Sequence, residues 1–231
     1  MTGRRRRRRG AAGAPRALDG GLPLDRAHGG GRYPGFDTMA QSRHWDAATT
    51  GVVAPRVGIP VDLRFFTPRE EALACALTDQ LLGQREDPRV PVVRMIDGRL
   101  AEGQGDGWHH VDMPRDDRAW RTTLAALDED ARDAFGAGFA ECSWADQESV
   151  LRAVQRATGQ WHGMPAGWVW SLWTRYADTA FYSHPWAWDE IGFGGPAYPR
   201  GYKHLGLDAL EPWEVADARR GLDPVAEQGP S

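Results

Sequence analysis

The chain has 231 residues, of which 41% are hydrophobic, and this is enough for one domain with a sizeable core. No run approaches the roughly 18 apolar residues of a membrane-spanning helix, which argues against insertion into a membrane. The two cysteines, Cys75 and Cys142, follow no metal-binding spacing, and Cys75 lies in an apolar helical pattern that favours a reduced core thiol over a disulfide.

The net charge of −4 is unevenly distributed along the chain. Residues 1–38 hold nine arginines against three aspartates, a net charge of +6, so the remaining residues carry −10. These first 38 residues are rich in Arg, Gly and Pro and have little to bury, and we expect them to form a disordered tail.

The arginine run Arg4–Arg9 has three interpretations. It could attract nucleic acid or anionic lipid, or it could belong to a twin-arginine export signal. An export signal needs an apolar run of about 7–15 residues next, and the following segment is short and broken by Pro15 and Arg16. The third interpretation is a misplaced start, because Met39 opens a more ordinary N-terminus.

Residues 39–63 are predicted to be an extended lead-in. The segment alternates β-branched residues with prolines, which is typical of a chain that lies along a domain surface without forming a sheet. These residues are Val52, Val53, Pro55, Val57, Ile59, Pro60 and Val61.

The predicted helical domain begins at residue 64. Thr67 can cap a first helix that ends near Gly83, with Pro68 at the first helical position and Glu70 placed to bond back to the cap amide. A second helix begins at Pro91 and ends at Gly103, and a polar loop covers 103–117. Apolar spacing predicts a third helix with Trp120, Leu124 and Leu127, a fourth with Ala131, Phe135 and Phe139, and a fifth capped by Ser143 and ended by Gly159.

Pro165 opens a sixth and longest helix, which the step from His184 to Pro185 ends. Its apolar residues lie on more than one side, so we expect it to be buried in the centre of an all-α domain spanning 64–217. The polar residues 218–231 are expected to fray. Four tryptophans are assigned to the core: Trp120, Trp144, Trp168 and Trp173.

Residues 181–213 alternate large aromatic rings with glycine and proline, and six tryptophans of the chain fall between Trp161 and Trp188. The glycines and prolines oppose a continuous helix or strand, while leaving so many rings in water would forfeit a large burial energy. We therefore predict an ordered loop anchored by aromatic side chains on its own domain or on a partner. Residues 198–201 suit a type I turn.

No catalytic or cofactor-binding set is apparent in the sequence. The Gly192-Phe-Gly194-Gly195 stretch lacks the third glycine of a dinucleotide-binding loop and follows no strand. Adjacent His109 and His110 rarely converge on one metal, and surface loop positions are favoured for both. We therefore predict no catalytic, cofactor-binding or metal-binding residues in this chain.

One string of residues resembles a known family. The string is Tyr182-Ser-His184-Pro-x-x-Trp188-x-x-Ile191-Gly192-Phe193-x-Gly195-Pro196-x-Tyr198-Pro199-x-Gly201-Tyr202, and Pro212-Trp213-Glu214 follows it. It is similar to the C-terminal signature of the gluconate 2-dehydrogenase subunit 3 family. The resemblance is close over 178–214 and looser over 64–160.

The resemblance implies a small helical subunit without redox chemistry of its own. Its partner would be a flavin-dependent dehydrogenase of the glucose-methanol-choline type that carries FAD, often together with a cytochrome c subunit. Aromatic residues and arginine are common interface anchors, and the residues predicted to bind the partner are Trp186, Trp188, Phe193, Tyr198, Arg200 and Tyr202.

Two other functions remain as alternatives. One is a stand-alone carbohydrate-binding module with exposed tryptophans, and the other is a nucleic-acid binder that depends on Arg4–Arg9 alone. We expect a cytoplasmic complex without nucleic acid, and the alternative location is the periplasm, reached by export with a partner.

Overall fold

The computed structural model describes residues 36–58, 62–85, 89–106, 108, 110–197, 201–204, 209–211 and 214. The tails predicted for 1–38 and 218–231 lie outside these ranges, apart from residues 36–38. Within the described residues the chain forms seven α-helices: α1 (Ala47–Val53), α2 (Pro68–Leu82), α3 (Val92–Ala101), α4 (Asp116–Phe135), α5 (Trp144–Arg156), α6 (Ala166–Ser183) and α7 (Pro185–Ile191). Short 3₁₀ turns occupy Met39–His44, Ala54–Arg56 and Phe139–Glu141.

The predicted starts and stops of the helices are largely confirmed. Thr67 and Glu70 form a complete capping box at α2, and Gly83 ends that helix in the left-handed conformation with φ 67°. The Ser143 side chain accepts the amide of Asp146 and caps α5. These signals are local, so they act in the same way in the folded chain.

Helix α6 is the central element, as its apolar pattern predicted. It packs against α2, α3, α4 and α5. Trp173 is fully buried and donates a hydrogen bond from Nε1 to Thr123 Oγ1 at 3.0 Å. The buried Tyr176 donates from its hydroxyl to Asp116 Oδ2 at 2.6 Å. Burial, followed by the interaction with Asp116, raises the pKa of Tyr176, so its phenol stays neutral and holds α6 to the start of α4.

The core tryptophan assignment holds for two of its four members. Trp120 and Trp173 are fully buried in the main core, together with Tyr176. Trp168 is half-buried and stacks on His110, with ring centroids 4.2 Å apart. Trp144 is half-buried under the guanidinium of Arg85. Trp168 still packs against the main core, whereas Trp144 belongs to neither buried cluster of the described residues.

Three details differ from the sequence predictions. The predicted third and fourth helices are one continuous helix, α4, because no residue interrupts it before Gly136, which adopts φ 71°. Phe139 lies beyond that end in a 3₁₀ turn, and its amide donates to Asp128 Oδ1 at 2.9 Å. A two-residue antiparallel hairpin pairs Gln160–Trp161 with Met164–Pro165, where no strand was expected.

Most of the lead-in predicted to be extended, residues 39–56, is helical, and residues 59–61 lie outside the described residues. Residues 39–56 form a 3₁₀ turn, helix α1 and a second 3₁₀ turn, because Asp46 caps α1 by accepting the amide of Thr49 at 2.7 Å. The β-branched pair of Val52 and Val53 did not prevent helix formation, since Val53 is buried against Trp45 and Trp188. None of the described helices has the length and apolar character needed to cross a bilayer.

Candidate partner interface

The motif predicted to be an irregular loop contains a short helix, α7. His184 caps its N-terminus, because His184 Nδ1 accepts the amide of Trp186 at 3.2 Å, and Pro185 occupies the first helical position. Gly192 ends the helix with φ 65°. The proline and the glycine therefore bound the helix instead of preventing it.

The end of α7 explains the spacing between Trp188 and Phe193. The amide of Phe193 donates to the carbonyl of Trp188 at 2.9 Å, and the amide of Gly192 donates to the carbonyl of Asp189 at 3.4 Å. This is the hydrogen-bond pattern of a Schellman motif, in which the residue after the glycine packs on the last turn of the helix. The rings of Trp188 and Phe193 meet edge to face at 5.1 Å, the hydrophobic contact that frequently accompanies this motif.

The N-terminal segment packs directly onto this motif. The Thr38 amide donates to Asp189 Oδ1 at 2.7 Å, the Thr38 hydroxyl donates to the Phe193 carbonyl at 3.0 Å, and Trp45 Nε1 donates to the Gly194 carbonyl at 2.9 Å. We call residues 38–56 and 183–195 together the clasp. Because Thr38 takes part, a chain that began at Met39 would lack two of these hydrogen bonds.

The clasp has an apolar centre separate from the main core. Trp45, Val53 and Trp188 are buried together, and Met39 and Phe193 pack on them. Trp188 is only 6% exposed, and its Nε1 donates to the Tyr182 carbonyl at 2.5 Å. Aromatic burial on this scale is a strong source of local stability.

Gly195 is the point of closest approach inside the clasp. It has φ +86°, and a Cβ atom there would lie 2.6 Å from three atoms of the Trp45 indole. A side chain is therefore excluded by the backbone conformation and by the ring. The glycine allows the main chain to lie flat against Trp45.

His184 is fully buried, and it is neutral at physiological pH. Burial, together with a smaller effect of the positive charge of Arg56, lowers its pKa to about 4, and an interaction with the Arg56 main chain opposes part of this shift. Its Nε2 has no hydrogen bond of normal geometry among the described residues. A proton added here would place a charge in the interior next to a guanidinium.

The clasp is therefore expected to weaken in acid. The unfolded chain binds a proton at His184 near pH 6.5, whereas the folded chain does so only near pH 4. The contribution of neutral His184 to the free energy of unfolding is thus complete above pH 6.5, and about 3 kcal/mol is lost as pH falls toward 4.

Denaturant unfolding across this pH range, compared with His184→Asn, measures the effect. Asparagine can cap α7 but does not titrate, so the variant should lose less stability between pH 6.5 and 4. Parallel loss in both proteins would contradict the assignment.

The predicted partner-binding residues separate into three groups. Trp188 is buried within the clasp, and Phe193 is half-buried beside it. Trp186 is half-buried on the main core, and Tyr202 is 50% exposed. Tyr198 and Arg200 lie outside the described residues, as does most of the turn predicted over 198–201.

Two exposed residues beside the motif were not predicted as interface residues. Tyr182 is 57% exposed and Ile191 is 54% exposed. Tyr182 lies off the buried stripe of α6, and Ile191 is the last residue of α7. Helical periodicity could have identified Tyr182, whereas Ile191 required knowledge that α7 is a helix.

The remaining candidate residues have structural surroundings. His109 lies outside the described residues, and His162 Nε2 lies 2.7 Å from Asp130 Oδ1 on the surface. Cys75 and Cys142 are free thiols, and burial raises the pKa of Cys75 to about 12, which makes it unreactive. Across the described ranges, no three His, Cys, Asp or Glu side chains are grouped so as to hold a metal ion.

Comparison with known proteins agrees with the motif. The sequence profile of the family described as gluconate 2-dehydrogenase subunit 3 matches residues 68–195, more than half of the chain. No curated protein and no solved structure gives a match. The matched region begins at the first residue of α2 and ends at Gly195, where the clasp closes on Trp45. The chain belongs to the gluconate 2-dehydrogenase subunit 3 family.

Proposed function

We propose that this chain is the non-catalytic small subunit of a flavin-dependent sugar or alcohol dehydrogenase. In this role it stabilises or matures the large subunit, which carries FAD, and a cytochrome c subunit is a further candidate partner. The observation that carries the proposal is the family match, which covers residues 68–195 and ends within the clasp.

The roles of the motif residues support a docking function. Histidine and glycine are common in catalytic and cofactor-binding sites, but here they have structural roles. His184 and Gly192 cap the two ends of α7, and Gly195 packs closely against Trp45. What the motif presents outward is apolar and aromatic, including Tyr182, Ile191 and the exposed part of Trp186. Such surfaces, with a few large rings next to rigid backbone, suit protein partners.

This arrangement supports the carbohydrate-binding alternative less well than it supports docking of a protein partner. A sugar-stacking platform needs flat, exposed rings, and the motif holds Trp188 buried and Trp186 half-buried. The more exposed Trp108 lies elsewhere, on the loop between α3 and α4.

Co-expression of the tagged full chain with a flavin-dependent dehydrogenase of the proposed type tests the proposal. We expect the flavoprotein to co-purify with its flavin bound, and we expect its soluble yield and dehydrogenase activity to fall when the small subunit is left out. The matched control is the flavoprotein carrying the tag itself. Failure to co-purify, with yield and activity unchanged by the small subunit, would rule the role out.

A further inference from the structure

Arg56 lies at the junction of the clasp and the main body. It is half-buried at the end of the 3₁₀ turn Ala54–Arg56. Its Nη1 donates to the Ser183 carbonyl at 2.8 Å, and its guanidinium lies 5.9 Å from the centroid of the Trp188 ring. A neutral carbonyl and a ring face compensate a buried cation only in part.

No carboxylate among the described residues lies within 4.0 Å of the Arg56 guanidinium, and this distinguishes Arg56 from the other half-buried arginines, Arg94, Arg99 and Arg175. The described arginines that likewise lack a carboxylate partner are all exposed: Arg43, Arg85, Arg118 and Arg156. The other arginines that line the same cavity are paired, Arg64 with Glu102, Arg94 with Glu71 and Arg99 with Asp106. Arg56 is thus the one partly buried guanidinium of the described chain without an anionic partner.

Arg56 faces a cavity of about 720 Å³. One wall is made by the clasp, including Val52 and Pro55, and the opposite walls are made by α3 and by the last turns of α6. Val52 is 60% exposed, so the wall next to Arg56 is both apolar and open to solvent.

The acidic groups around the cavity leave the Arg56 charge uncompensated. Asp97 is buried and accepts the amides of residues 64–66, and Glu102 binds Arg64 and Gln104. Asp62 also lines the cavity but forms no ion pair with Arg56. Burial lowers the pKa of Arg56, which reflects the electrostatic cost of holding this cation in a partly dry site.

We propose that the cavity receives an acidic side chain of the partner subunit, flanked by apolar residues, whose carboxylate pairs with Arg56. The proposal rests on the proposed function and names the chemistry of the segment that docks. The carboxylate supplies the missing counter-ion, and Val52 and Pro55 supply apolar contact. The contact is continuous with the motif, because Arg56 also touches Ser183 and Trp188.

The test measures the dissociation constant between the full-length small subunit and the co-purifying flavoprotein. We expect Arg56→Gln to weaken binding at least about tenfold and to reduce its salt dependence. Arg64→Gln is the matched control: Arg64 lines the same cavity but already has Glu102, and its loss should change affinity little. Arg56→Lys keeps the charge and can still donate to Ser183, so it should retain most of the affinity.

The outcomes separate the two proposals. If the wild-type chain does not bind the flavoprotein, both proposals fall. If it binds and Arg56→Gln binds equally well, only the carboxylate site is wrong. If Gln and Lys weaken binding equally and both lower the melting temperature of the isolated subunit, Arg56 has a structural role only and the inference is overturned.

A photo-crosslinking residue at Val52 gives an independent readout. It should form an adduct with a flavoprotein peptide that contains Asp or Glu, as identified by mass spectrometry. The control position is Val111, which is 90% exposed and lies in the loop before α4. An adduct at both positions, or one at Val52 on a peptide without acidic residues, would contradict the site.

Discussion

Gly195→Ala is expected to destabilise the folded chain by about 3 kcal/mol. The new Cβ would lie 2.6 Å from the Trp45 indole, and the backbone φ of +86° is unfavourable for alanine. The left-handed conformation costs roughly 1–2 kcal/mol, and overpacking adds about 1–3 kcal/mol. Denaturant unfolding followed by tryptophan fluorescence measures the loss.

Two matched variants test the cause of this loss. Gly51→Ala lies in α1 of the same clasp with nothing within 4 Å of its Cβ position, and it should stabilise the chain by up to about 1 kcal/mol. Trp45→Phe removes part of the ring that meets Gly195, so the double variant should lose less than the two single losses added together. An unchanged unfolding midpoint for Gly195→Ala would show that the clasp is not closed as described.

Trp188→Ala is expected to lower the free energy of unfolding by about 3–5 kcal/mol. The indole is buried against Trp45 and Val53, touches the Phe193 ring and donates to the Tyr182 carbonyl. Its removal leaves a cavity at the centre of the clasp and an unpaired carbonyl. Melting of the isolated subunit should show the loss without any partner present.

Trp186→Ala is the comparison, because the Trp186 ring is only half-buried whereas the Trp188 ring is buried. If Trp186 anchors the partner, its loss should weaken binding by at least about 2 kcal/mol while the isolated subunit stays folded. Melting curves with and without the flavoprotein separate the two effects. A Trp186 variant that unfolds on its own and a Trp188 variant that melts normally would reverse the two assignments.

The parts of the fold that follow from neighbouring residues could be predicted from the sequence. The capping box of Thr67 and Glu70, the Ser143 cap and the stop at Gly83 depend on side chains within one turn of the helix ends. The central position of α6 followed from its apolar residues on more than one side. All of these are local patterns that tertiary structure leaves unchanged.

The clasp could not be predicted in the same way. Trp45 donates to Gly194, which is 149 residues away, and no pattern in residues 39–63 indicates that contact. Helix α7 differs from the predicted loop for another reason, because that prediction treats glycine and proline only as helix breakers. Pro185 at the first position and Gly192 just after the end are the positions that helices favour, so the signal was present.

The boundaries of the family match have a practical consequence for anyone who shortens this protein. A fragment cut to residues 68–195 would keep every matched position yet discard Thr38, Trp45 and Val53. Trp188 and Phe193 would then be exposed to solvent, and exposed aromatic surface of this size promotes self-association. Precipitation of such a fragment would therefore result from the loss of the N-terminal residues that bury these rings, and not from instability of the helical bundle.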